Sequence, residues 1–439
     1  MSLFGTTDRR HFFKHAAGAA AVTLPGMSFL SQLAAQSAQL KKKNKSLIIL
    51  WMGGGPTTID LWDMKPDSQN GGEHKPKSTA ASGVQITEHL PKVAAQFKSL
   101  SIIRSLTTSE GDHNRGSYLM GTGRSPNPLS DFPHIGSVLS NQYSQDAEAM
   151  KNMDLPMFMT LGGGGLPGGA GAGFLGMRYA PFAVQNPGTA PENVEPPAGA
   201  KEHMARRAVL FDALEGNAGK PGLGLKTNVP ADAAQAHKDV YKKALELVVS
   251  SRKDVFAFSK DEQADLAGRY GNDGFGRGCL LAKKLVEAGV ACVEVSLGGW
   301  DMHANIFATL SGQRLPNLDR GMGSLVEDLT KTGKIKDTVI VWMGEFGRTP
   351  RINQNGGRDH FPRAWSVVVG GGNIKGGIAY GSTNADGTEA KDNPVKIGDL
   401  YATLYSGLGL APDTQIRDNL GRPTAIAGDK ATAIKDLVG

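Results

Sequence analysis

Only two cysteines occur in 439 residues, Cys279 and Cys292, both in apolar stretches. Two thiols so placed argue against a disulfide framework or a thiolate metal cluster, and they read as buried side chains. No basic stripe with interleaved aromatics is present, which argues against nucleic acid as the main partner. No apolar run is strong and continuous enough for a stable transmembrane span. No internal repeat is found. What is there is 40% hydrophobic and 21% charged, the composition of a globular protein with a sizeable core. Glycine is abundant, with 58 residues, many of them in loops beside predicted strand ends.

The amino terminus carries Arg9, Arg10, Phe12 and Lys14 ahead of a mild apolar stretch that ends in small residues. This pattern predicts a twin-arginine export signal over residues 1–38, cleaved between Ala34 and Ala38, and a periplasmic or otherwise exported protein. Membrane contact is then expected only through the export machinery or an uncleaved signal. Such export carries folded proteins, often with a cofactor already inserted, which fits a metalloprotein. Part of the formal charge of +6 belongs to this segment, and part to Lys41, Lys42, Lys43 and Lys45, a solvated leader. Residues 39–439 are expected to form one domain.

Short β-branched runs without alternation predict buried parallel strands at Ser46–Met52, Ser99–Leu106, Val290–Leu297, Thr338–Met343 and Ala364–Val369. Helices are expected at Leu90–Phe97, Met204–Leu214, Asp232–Val249, Asp261–Tyr270, Gly276–Ala288, Leu318–Thr330 and Ile397–Leu408. The Gly/Pro-rich residues 155–200 read as a long surface excursion. Strand and helix in alternation predict an α/β layered sheet covered on both faces.

In α/β sheets ligands bind beyond the carboxyl ends of strands. Acids and histidines gather at those ends here: Asp60 after the first strand, His113 after the second, Asp301 and His303 after the third. Glu345, Arg348, Arg351, Arg358, Asp359, His360 and Arg363 follow Thr338–Met343. Asp301 and His303, two residues apart in a loop, suit one metal ion, and oxygen and nitrogen donors favour Zn, Mn or Fe over Ca. Asp60 fits a helix cap as readily as a ligand. The helix after Asp112 and His113 offers an amino terminus for an anion.

Three motifs resemble the exported bacterial proteins grouped as domain of unknown function 1501. They are Gly54-Gly55-Pro56 with Asp60, Gly299-Trp300-Asp301-Met302-His303, and Gly344-Glu345-Phe346-Gly347-Arg348 with Gly357-Arg358-Asp359-His360. The resemblance spans essentially the whole mature chain. It implies an alkaline phosphatase/sulfatase-like fold, a three-layer sandwich with a mostly parallel central sheet, and no settled activity. Against the wider superfamily, Asp301, His303 and His360 look like the ligands of one metal site. Asp60 and Glu345 stand where a second ion would bind, with Phe346 in place of an imidazole. Leu119–Arg124 is similar to the segment after the sulfatase nucleophile, and counting back reaches His113, with Ser109 and Ser117 as alternatives. Arg348 or Arg358 would clamp the anion. The implied activity is hydrolysis of a sulfate or phosphate ester, the substrate a small anionic ester or a sulfated or phosphorylated carbohydrate. The alternative is a non-catalytic binding or surface protein that keeps the fold and one metal.

Overall fold

Ser46–Trp51 (β1) carries Leu47, Ile48, Ile49 and Leu50 in succession, so both of its faces are apolar and both must be covered. Leu47 and Ile49 enter one buried cluster with Ile135, Val138, Leu400 and Tyr401. Ile48 and Leu50 enter another with Leu280, Leu318, Met322 and Leu325. Each such buried aliphatic side chain stabilises the fold by roughly 2 kcal/mol. The computed structural model describes residues 45–150, 153–163, 169–191, 231–250 and 252–438, with isolated positions between 203 and 213. The expected export signal and most of the helix expected at Met204–Leu214 lie outside the described residues.

The central sheet has eight strands among the described residues. After β1 come β2 (Leu100–Leu106), β3 (Phe158–Leu161), β4 (Phe182–Val184) and β5 (Cys292–Ser296). Then follow β6 (Thr338–Met343), β7 (Trp365–Gly371) and β8 (Ala379–Tyr380). Their spatial order is β8-β2-β7-β6-β1-β5-β3-β4. β1 is central, with Ile48 opposite both Val293 and Ile340 in parallel register. One face is covered by α1 (His113–Thr122), α2 (Ile135–Ser144) and α5 (Ile397–Leu408). The other is covered by α3 (Gly274–Glu287) and α4 (Leu315–Lys331). The expected three-layer α/β sandwich with a mostly parallel sheet is what the chain forms.

Three expectations change in the structure. Ala364–Val369 was expected as a parallel strand, yet β7 runs antiparallel to both β2 and β6. A parallel partner needs a crossover to the far edge, usually a helix, and residues 344–364 contain only polar loop and a two-residue ribbon pairing Gly347–Arg348 with Phe361–His360. The chain therefore turns back at the edge it came from. Second, the stretch 155–200 is more than an excursion, because β3 and β4 complete one side of the sheet. Three apolar residues around Thr160, beside a glycine cluster, are too short a signal to stand out. Third, the helix expected at Asp261–Tyr270 is regular over Lys260–Asp265 and widens to a π-turn over Leu266–Tyr270.

Candidate metal centre

The antiparallel return of β7 keeps all of residues 344–364 at the carboxyl edge of β6, beside the loops that leave β1 and β5. Asp112 caps α1, its carboxylate accepting from the Arg115 amide at 3.0 Å. That carboxylate takes the place of the anion expected at this helix end. It also sets His113 as the first residue of α1, facing the loop of β6.

Three imidazoles converge on one carboxylate. His303 Nε2 lies 2.9 Å from Asp301 Oδ1, His360 Nε2 lies 3.3 Å from the same oxygen, and His113 Nε2 lies 3.4 Å from Oδ2. In each ring Nδ1 is held by an oxygen: His113 by Glu345 Oε1 at 2.7 Å, His303 by Asp359 Oδ1 at 2.7 Å, and His360 by the Gly111 carbonyl at 2.8 Å. These oxygens accept, so each Nδ1 carries a proton and the neutral ring presents its Nε2 lone pair to the site; that of His303 accepts from Arg348 Nη1 at 3.3 Å. Histidines that ligate metals are oriented in this way by carboxylates and carbonyls behind them.

A buried imidazole nitrogen without a hydrogen-bond partner is costly unless a cation meets it. His303 Nε2 and His360 Nε2 stand 3.3 Å apart, and His113 Nε2 is buried without a hydrogen bond. A metal ion held with Asp301 and His360 gives the His113 Nε2 its missing partner, so this donor set fits one. Among the described residues, the ligand atoms of His113, Asp301 and His360 lie within 4.8 Å of one another.

Arg348 organises the floor. Its side chain is fully buried, donating through Nε to the Gly55 carbonyl at 2.7 Å and through Nη1 to the Arg358 carbonyl at 3.1 Å. Nη2 reaches the Gly54 carbonyl and Asp301 Oδ1. Burial pushes the Asp301 carboxyl up, but the hydrogen bond and charge of Arg348, with His360 and His113 behind them, bring it down to about 2. The hydrogen bond to Glu345 raises the His113 imidazole, against a smaller opposing effect of burial. Phe346, wholly buried, lies beneath the His113 and His360 rings with centroids at 5.0 and 4.6 Å.

Several residues take places other than those expected. His113, expected at the nucleophile position, stands with Asp301 and His360 in the candidate metal cluster. Glu345, expected to bind a second ion, orients His113 and accepts from the Gly54 amide at 2.8 Å. Asp60, also expected as a ligand, is held by Arg358 Nε and Nη2, both at 2.7 Å, and by Thr57. Arg358 donates its remaining protons to the carbonyls of Asn70, Thr349 and Pro350. Arg348 and Arg358 are thus buried with their donors engaged inside the protein, and neither is presented as an anion clamp. Asp301, His303 and His360 are brought together as expected. Sequence reasoning missed the Gly111 carbonyl and the orienting role of Asp359, although the Asp359–His360 pair was visible; Asp359 turns to His303 instead.

The family described as "Protein of unknown function (DUF1501)" matches residues 44–438. No curated protein matches the sequence. Among solved structures, the chain is similar to the PsFucS1 sulfatase from Pseudoalteromonas sp., with 12% identity and a TM-score of 0.37 over 87% of this chain and 70% of that one. A protein in the alkaline phosphatase superfamily from Vibrio parahaemolyticus gives 12% and 0.38 over 88% and 69%. The lipoteichoic acid synthase LtaP from Listeria monocytogenes gives 9% and 0.35 over 88% and 76%. These likenesses are loose, and the chemistry of the site stands on its own geometry.

Proposed function

We propose that this chain, which belongs to the DUF1501 family, is an exported metal-dependent hydrolase of sulfate or phosphate esters. The observation that carries the reading is the cluster of His113, Asp301 and His360 ligand atoms within 4.8 Å, with each histidine Nδ1 held from behind. Export rests on the Arg9-Arg10-x-Phe12-x-Lys14 pattern. No helix among the described residues is long and apolar enough to cross a membrane.

His113, Asp301 and His360 would hold the ion, with His303 beside them, and their nitrogen and oxygen donors suit Zn, Mn or Fe. A divalent ion bound there supplies Lewis acidity toward the ester oxygens. Arg348 keeps Asp301 ionised and aimed. Glu345 and the Gly111 carbonyl keep the His113 and His360 protons on Nδ1. Phe346 closes the rear of the site to water. His303 is half-exposed and backed by Asp359, so its Nε2 can take the proton of an attacking water, with Asp359 stabilising the imidazolium. Ser117, one of the alternative nucleophiles, is buried within α1.

A second reading, a non-catalytic exported binding protein with one metal, is favoured by the inward-turned Arg348 and Arg358. Elemental analysis of the purified protein beside His360→Ala, followed by a panel of sulfate and phosphate esters, separates the two. The hydrolase reading expects a bound divalent ion and ester turnover, both lost in His360→Ala. A variant that stays active would sink the assignment, and metal without turnover would favour the binding protein.

A further inference from the structure

With both buried arginines engaged internally, the cation that a substrate can reach is elsewhere. A cleft of about 290 Å³ opens beside the centre, lined by Thr349, Arg351, Asn353, Gln354 and Asp359. Every one of these side chains is polar, which disfavours an aliphatic or aromatic occupant. Asp359 belongs to both places: its Oδ1 holds His303 Nδ1 at 2.7 Å, so one imidazole ring separates the cleft from Asp301.

Two of the lining residues build the loop. Thr349 Oγ1 donates to the Arg351 carbonyl and accepts from the Asp359 amide. Asn353 donates to the His303 carbonyl and Asp359 Oδ1, and accepts from the Asn355 and Gly357 amides. Arg351 and Gln354 are exposed, and neither side chain makes a hydrogen bond or ion pair among the described residues. The wall is therefore tied together by hydrogen bonds, and two unengaged donor groups project from it. A guanidinium matches sulfate and phosphate oxygens in pairs, and a primary amide exchanges hydrogen bonds with hydroxyls. The Asp359 carboxylate, about half-exposed at the end next to His303, accepts from hydroxyls and repels anions. An anionic group is thereby steered to Arg351 and hydroxyls toward Asp359.

We infer that this cleft is a subsite for the alcohol portion of the ester, and that Arg351 selects an alcohol bearing hydroxyls and a second anionic group. The chemical class is an oligosaccharide with more than one sulfate or phosphate. This rests on the hydrolase reading for the word ester, while the subsite itself is tested by binding alone.

The experiment is calorimetric titration of the full metal-loaded chain with a disulfated disaccharide and with its unsulfated parent, using wild type, Arg351→Ala and Arg351→Lys. The disulfated probe is expected to bind at least about tenfold more tightly than the parent, a gap of roughly 1.4 kcal/mol. Arg351→Ala should remove most of that gap and Arg351→Lys should restore part of it. An Arg351→Ala protein that melts like wild type rules out misfolding as the cause. No binding, equal affinity for the two sugars, or a gap that survives Arg351→Ala overturns the subsite. Arg351-dependent binding without turnover of any ester leaves the subsite standing and overturns the hydrolase reading alone.

Discussion

Arg358 grips Asp60 through two 2.7 Å hydrogen bonds, Nε to Oδ2 and Nη2 to Oδ1, with both side chains wholly buried. Removing one partner leaves an uncompensated charge in the interior, which costs about 3–5 kcal/mol. Arg358→Met is therefore expected to lower the midpoint of urea unfolding sharply. The pairing also predicts one ion per chain, since the Asp60 carboxylate is wholly buried and held by Arg358 and Thr57. Two bound ions by elemental analysis would contradict it.

Glu345→Gln tests the orienting role directly. The amide still fills the space but no longer fixes the His113 proton on Nδ1 with a charged acceptor. Loss of a carboxylate behind a ligating histidine weakens metal binding by about 10–100-fold. Competition with a chelator should show that loss, with circular dichroism unchanged. Undiminished affinity would return Glu345 to a role in the fold alone.

Gly54 has φ of +117°, and a Cβ built on it would stand 2.4 Å from the Asp301 amide nitrogen. Gly54→Ala must push the Asp301 loop away, strained backbone and steric overlap acting together. Metal content should fall to background in this variant, while Gly83→Ala, whose Cβ meets nothing within 4 Å, should keep its metal.

Acid stability should depend on Glu262. Burial raises this carboxyl, but the hydrogen bonds from Lys284 at 2.9 Å and from the Ser259 amide at 2.8 Å outweigh burial and leave it below its ordinary value of 4.5. A folded-state value below the unfolded one means the contribution is full above that ordinary value. It is lost as pH falls through the depressed one. Thermal melts from neutral pH down past 4 should show Glu262→Gln less stable at neutrality, with the gap to wild type closing in acid. A gap constant with pH would refute the assignment.

Much of this arrangement is legible in one dimension. Leu47–Leu50 and Val339–Trp342 announce buried strands because a run without polar alternation can be covered only on both faces. Asp301 and His303 stand out because they follow glycines at a strand end, where backbone can turn and side chains can meet. His360 stands out because it precedes the next strand in a loop crowded with charge. What stays hidden depends on partners far away in sequence. Asp60 followed by a turn looks the same whether it faces an ion or Arg358, and the two are 298 positions apart. β3 is four residues long, and only its pairing with β5 and β4 makes it a strand.

The sequence alone determined the layers of the fold and the residue types that can ligate, because hydrophobic pattern and side-chain chemistry are local properties. The tertiary structure decided the roles. It turned β7 antiparallel and so gathered residues 344–364 at one edge. It buried Arg348 and Arg358, set Glu345 and Asp359 behind histidines, and left Arg351 facing the cleft. A charged group's function is fixed by which partner reaches it once water is excluded, and that is settled only when distant segments pack.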